Sequence, residues 1–281
     1  DLTKLEALLQ DAPDIEVRLG PRTTVVLAVA SVLGLMLFVW PLVIPVPTGW
    51  THSTDAPLVF AALVPILVVI VLAQFSDGGM DTRTLALLGV LSAINAALRP
   101  TLGAGTAGIE SVFFLLVLSG WAFGPGFGFV LGATSMAASA MFTAGVGPWL
   151  PFQMLAAGWV GLGAGLLPGR HRGRATVRDL LTLITYAVLS AYLYGIIMNL
   201  WFWPTLTGIT TPGYTGAIGG LDYIPGAPWG DNLRRFWVFS LFTSTAGWDT
   251  GRAISTAVAL GVLGRPVLDV MHRAARRARL S

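Results

Sequence analysis

The chain has 281 residues, 54% of them hydrophobic and 11% charged, with a formal net charge of +3. A soluble globular domain carries about 25% charged residues, so the composition excludes that class, and several apolar runs approach or exceed the ~18–20 residues that cross a bilayer. The runs do not alternate apolar with polar residues, which argues against a β-barrel, and the absence of cysteine removes disulfides, thiol catalysis and thiolate metal sites.

The composition predicts an all-α polytopic membrane protein of about eight transmembrane helices. Residues 1–22 read as a short amphipathic helix lying on the membrane surface, with Leu2, Leu5, Leu8 and Leu9 at helical spacing. The acidic and polar stretch Asp1 to Gly20 is unlike the basic start of a cleavable signal. Spanning helices are expected over Thr23 to Val46 and Leu58 to Phe75, then Thr82 to Leu98, with Asp81 as N-cap and Pro100 as the stop. Further helices follow over Ile109 to Phe123, Phe127 to Phe142, Trp149 to Leu167, Asp179 to Trp203 and Arg235 to Leu263. A loop rich in Gly, Pro and aromatics covers Pro204 to Asn232, and a basic tail with Arg265, Arg273, Arg276, Arg277 and Arg279 closes the chain.

The arginines set an orientation. Arg170, Arg172, Arg174 and Arg178 share one loop, and with eight spans that loop lies on the same side as Lys4, Arg18, Arg22 and the basic tail. The excess of basic residues makes that side, with both termini, cytoplasmic. Clustering of this kind points to topology rather than to nucleic-acid binding.

Two helices carry stripes of small residues four apart: Gly89, Ala93 and Ala97 on the third, and Ala157, Gly161 and Gly165 on the sixth. Such stripes let helices approach closely where packing rests on van der Waals contact. Polar residues inside a membrane are costly and so point to function. Asn95 and Arg99 stand one turn apart at the outer end of the third helix, Glu110 opens the fourth, Gln153 lies one turn into the sixth, and Asn199 lies near the outer end of the seventh. An Arg99–Glu110 pair is one structural alternative, and Asp249 and Arg252, three apart on one face, are expected to pair with each other. Trp201, Trp203 and Trp237 fit an interfacial aromatic belt as well as a site. Trp149, Trp229 and Tyr223, placed among Gly and Pro in loops, fit the wall or lid of a pocket.

No Walker A motif and no HExxH motif occur, and the three histidines are scattered. These absences predict no catalytic residues, no metal site and no cofactor. A chain with an outer site but no ATPase motif suggests a binding subunit driven by another protein.

The stripe Gly89-xxx-Ala93-xxx-Ala97, the run Gly147-Pro-Trp-x-Pro-Phe-Gln-Met154 and the Gly-rich helix that follows resemble the substrate-binding S component of energy-coupling factor (ECF) vitamin transporters, and among these the actinobacterial group linked to cobalamin uptake. The resemblance covers residues 82–264. It implies a six-helix substrate-binding core over 82–264, with residues 1–81 (the amphipathic segment and two extra helices) and the basic tail 265–281 outside it. It implies a vitamin bound at the outer face, a transmembrane T component, and two ATPase subunits or domains, in the cytoplasmic membrane of a bacterium. Gly89, Ala93 and Ala97 would form the docking stripe. Asn95, Arg99, Glu110, Trp149, Gln153 and Asn199 would contact the ligand, and the loop around Tyr223 and Trp229 would cover it. Two other classes remain open. An intramembrane enzyme would need Glu110 and Asp249 to converge in one cavity, and their spacing predicts that they do not; a structural scaffold would need the stripes without a pocket.

Overall fold

The computed structural model describes residues 19–44, 52–78, 81–101, 109–143, 145–168, 175–205, 221–224 and 226–280. The surface helix expected at the N-terminus falls mostly outside these residues, as do Trp50, Arg170, Arg172, Arg174 and Tyr214. Arg22, expected to end that surface helix, instead lies in the first turn of a long one.

Among the described residues every regular element is helical. The helices are α1 (Pro21–Val43), α2 (His52–Ser76), α3 (Thr82–Thr101), α4 (Val112–Phe123), α5 (Pro125–Phe142), α6 (Leu150–Leu166) and α7 (Val177–Phe202). The last, α8, begins as α-helix over Trp229–Ser240, passes through a π-helical stretch at Leu241–Asp249 and continues as α-helix over Thr250–Leu280. Among the described residues five helices are long and apolar enough to cross a membrane, namely α1, α2, α5, α7 and α8; α4 and α6 are apolar but shorter.

The ends follow local chemistry. Asp81 caps α3 as expected, its Oδ1 accepting from the Thr84 amide at 2.8 Å, and the Thr84 hydroxyl and amide hold the carboxyl below the usual aspartate value. Thr176 and Asp179 form a reciprocal capping box at the start of α7. Gly124, at φ 102°, makes the tight turn between α4 and α5, and Pro125 opens α5 at the position that a proline fits best.

Three boundaries differ from the sequence expectation. Pro100 does not stop α3, which runs on to Thr101, since a proline in the last turn forfeits little. The loop expected to reach Asn232 ends earlier, because α8 starts at Trp229 with Asp231 favourably placed in its first turn. The basic tail is a helix rather than loose chain: α8 runs through Pro266 to Leu280 and buries Leu268 and Met271.

The centre of the bundle is α4, α5 and α6. All of α4 but Ala122 is buried. The stripe on α6 works within the chain: a Cβ on Gly161 would fall on the Gly128 carbonyl of α5, one on Gly165 would fall on Pro125, and one on Gly120 of α4 would fall on the Gly161 carbonyl. The backbones therefore touch directly, the arrangement that small residues permit in a membrane. The α1–α2 hairpin packs against this core. Phe38 meets Phe152 edge-on at 5.1 Å, and the Trp159 indole donates to the Ser31 hydroxyl at 3.0 Å. At its open end the hairpin is latched by Asp77, whose Oδ2 accepts from the Thr23 amide at 2.8 Å and from the Thr23 hydroxyl at 2.9 Å.

Two outcomes are expected. Gly161→Ala should cost about 1–3 kcal/mol, because the added methyl meets rigid backbone, as read by thermal unfolding in detergent. The Thr23 amide above all holds the Asp77 carboxyl below the usual aspartate value of 3.8. A folded value below the unfolded one means that the latch contributes above the unfolded value and is lost as pH falls through the folded one. Asp77→Asn should therefore weaken hydrogen-exchange protection in the first turn of α1 near neutral pH, and the difference from the native chain should vanish in strong acid.

Candidate functional site: a charged mouth and an aromatic cavity at one end of the bundle

One end of the bundle gathers the residues that the sequence singled out. Its continuity is fixed by a chain of contacts. The Ser111 hydroxyl donates to the Leu98 carbonyl at 3.2 Å, joining the end of α3 to the start of α4. An Arg99 Nη2 donates to the Gln153 Oε1 at 3.5 Å, joining α3 to the start of α6. Phe152 packs on Trp201 at 5.3 Å, joining α6 to the end of α7, and Trp203 packs on Phe236 at 5.4 Å, joining α7 to the start of α8.

The Arg99–Glu110 pair does not form. Glu110 instead accepts from Arg252 Nε at 2.8 Å, while Arg252 Nη1 donates to Asp249 Oδ1 at 3.0 Å. The expected Asp249–Arg252 pair is thus present, but the expectation that Glu110 and Asp249 stay apart is wrong: both meet the same guanidinium. The reason is geometric. Because α4 starts only at Val112, the segment before it drops to the level of Ser255, whose hydroxyl donates to the Glu110 carbonyl at 3.1 Å. Arg252 is 7% exposed, with its guanidinium 4.8 Å from the Tyr194 ring centroid and 5.4 Å from that of Phe113. Flat aromatic faces attract a cation at these distances.

The π-helical stretch positions the acid. Its wider turn lets Ser244 donate to Asp249 Oδ2 at 2.7 Å, five residues on. The carboxylate fills the space beside Gly195 of α7, where a Cβ would collide with it. Such stretches are rare and recur at functional sites. Glu110 and Asp249 therefore converge, each as an ion-pair partner of one guanidinium.

The remaining expected site residues divide between places. Asn95, 1% exposed, lies in the seam between α3 and α5, its amide donating to the Ser135 hydroxyl at 3.0 Å while its Oδ1 is buried without a partner. Trp149 folds onto its own loop, its indole donating to the Gly145 carbonyl at 3.2 Å. Asn199 buries an amide nitrogen that meets no acceptor. Tyr223 and Trp229 line a separate cavity of about 230 Å³ whose far wall is Leu42 and Val43 of α1. Trp229 is a helix residue at the start of α8, not part of a loop. Beside this cavity the segment 221–224 is held down. The Trp203 indole donates to the Leu221 carbonyl at 2.8 Å, and the Asn232 carboxamide bonds both backbone groups of Ile224, at 3.1 and 2.9 Å.

The Gly89 stripe faces the other way. Gly89, Ala93 and Ala97 are exposed along with Val90 and Ile94, and a Cβ on Gly89 would meet nothing. The opposite face of α3 is tied to α5 by Asn95–Ser135 and by Ser92–Thr134 at 2.8 Å.

The sequence pointed to Asp249 and Arg252 as a pair but not as members of the mouth. An arginine inside an apolar run was the available signal. Tyr194, Gly195 and Ser244 carried none, since each is ordinary in such a helix.

The model of one protein family, described as ECF transporter, substrate-specific component, matches residues 83–245, more than half of the 281-residue chain. No curated protein and no solved structure matches the chain.

Breaking the ion cluster should be expensive. Arg252→Met leaves the buried Asp249 carboxylate and the half-buried Glu110 carboxylate uncompensated and should cost about 3–5 kcal/mol. Adding Glu110→Gln and Asp249→Asn should recover most of that loss, as followed by thermal unfolding in detergent.

Proposed function

The chain belongs to the family of ECF transporter substrate-specific components, and from that premise we propose that its charged mouth is the vitamin-binding site, open to the outside of the cell. Membership makes it a membrane transport subunit that works with a T component and ATPases. The ligand we favour is cobalamin or a related corrinoid. The observation that carries the reading is the mouth itself: Arg99, Glu110 and Gln153 within the matched residues, with Asp249 and Arg252 just beyond them on α8, where ionisable groups are costly unless used.

The orientation rests on charge. Arg22 and Arg83, Arg178 in the first turn of α7, and Arg265 and Arg273 of α8 all lie at the end away from the mouth. Excess basic residues mark the cytoplasmic side, so the mouth is outward and both termini are cytoplasmic. Residues 82–264 form the substrate-binding core, which the α1–α2 hairpin flanks and the basic extension of α8 prolongs. A corrinoid, rich in amide side chains, suits a mouth with carboxamide and guanidinium donors at Gln153, Asn199 and Arg99, with Glu110 and Trp149 beside them and Asn95 behind them in the α3–α5 seam. Tyr223 and Trp229 anchor the cover beside it.

Docking onto the T component uses Gly89, Ala93 and Ala97. What supports this is the exposure of the stripe while the opposite face of α3 is committed to α5. A smooth small-residue face suits contact that forms and releases.

Titration of the purified chain with cyanocobalamin by calorimetry should show saturable binding that weakens in Gln153→Ala. No binding of cobalamin or cobinamide removes the corrinoid assignment and leaves the subunit reading to a wider vitamin screen. Gly89→Leu should abolish uptake in cells that supply the T component and ATPases while leaving ligand binding unchanged. Uptake at the native rate in that variant would remove the docking role.

A further inference from the structure

We infer that the ligand of this mouth carries an anionic group, a carboxylate or a phosphate ester, held by the Arg99 guanidinium. The inference rests on the substrate-binding reading above and adds the ligand's charge to it. The cluster of Arg252, Glu110 and Asp249 is closed on itself: one cation, two carboxylates and two short ion pairs. It leaves no cationic valence for a ligand. Arg99 is different. Its one hydrogen bond among the described residues goes to the neutral Gln153 oxygen at 3.5 Å, the outer limit for such a bond. Residues 102–108 and 206–220, which adjoin this end in sequence, contain no Asp or Glu to pair with it.

Arg99 is not the only donor in want of an acceptor. At the same end Arg235 buries its Nη1 without an acceptor, and Asn199 buries its Nδ2 likewise. Of the unmatched buried carboxamide oxygens among the described residues, Asn95 Oδ1 belongs to the α3–α5 seam and Gln74 Oε1 to the last turn of α2. Buried donors left unmade are costly, and a guanidinium that has no carboxylate partner, at the same end as buried unpaired donors, is what an anionic ligand satisfies. A guanidinium meets carboxylate and phosphate oxygens in the same two-pronged way, so the geometry fits both.

The test uses pairs of probes that differ in their anionic group: cyanocobalamin against dicyanocobinamide, which lacks the phosphodiester, and biotin and pantothenate against biotinamide and pantothenol. Affinities are measured for the full chain in lipid nanodiscs, made once with zwitterionic and once with anionic lipid, for the native chain, Arg99→Gln and Arg99→Lys. The expected result is that the anionic member of one pair binds, that its neutral counterpart binds about thirtyfold more weakly or worse, and that Arg99→Gln erases this preference while Arg99→Lys keeps part of it. The pair that responds tells phosphate from carboxylate. A neutral member that binds as tightly as its anionic partner overturns the inference and leaves the binding site standing. So does an Arg99→Gln variant that keeps the full preference, which would assign Arg99 to lipid headgroups. Melting curves identify any variant that fails to fold, and Arg99→Lys then carries the comparison. Binding by none of the probes overturns the substrate-binding reading of the mouth, and the inference falls with it.

Discussion

The structure depends on backbone-to-backbone contact between α6 and its neighbours α4 and α5. Apolar helices gain nothing from leaving lipid that is as apolar as themselves, so a membrane bundle must win its cohesion from close approach. Gly120, Gly128, Gly161 and Gly165 supply it, each leaving room where a neighbour's backbone sits. That contact fixes the height of α4 relative to α6. The height of α4 in turn sets Glu110, just before its first turn, level with Arg252. The mouth is thus a consequence of glycine packing about two turns below it.

A second constraint is the burial of charge. Three ionised groups meet on Arg252, Glu110 and Asp249, and aromatic faces of Phe113 and Tyr194 flank the guanidinium. Pairs of this sort seldom add net stability over apolar packing of the same shape, but they are costly to break. Their effect is to specify one arrangement of α4, α7 and α8, with the π-helical stretch re-aiming Asp249 into the space that Gly195 leaves. The cluster closes on itself, one cation between two carboxylates, and Arg99 stands outside it, half-buried and bonded to the neutral Gln153.

Much of this was legible in the residues. The apolar runs located the helices, Asp81 marked the start of α3, and the small-residue stripes marked two packing faces. The stripes were alike on paper. Only the structure distinguishes them: that on α6 is consumed inside the bundle, whereas that on α3 is open. Spacing could not tell the faces apart because it carries no information about which partner arrives. The partner of Glu110 was misread for a similar reason. Arg99 is nearer in sequence, but the contact is with Arg252, 142 residues away. The early start of α8 was hidden by the polar residues of its first turns, and the anchoring of Ile224 by Asn232 follows from a tertiary contact that no local pattern announces.

The central claim is that the charged mouth binds a small organic molecule, one per chain. Native mass spectrometry of the full chain released from membranes with cyanocobalamin present addresses it most directly. The account predicts a single one-to-one adduct that is depleted in Arg99→Gln and retained in Gly89→Leu. Only lipid adducts, unchanged by either substitution and by the addition of any vitamin, would contradict it.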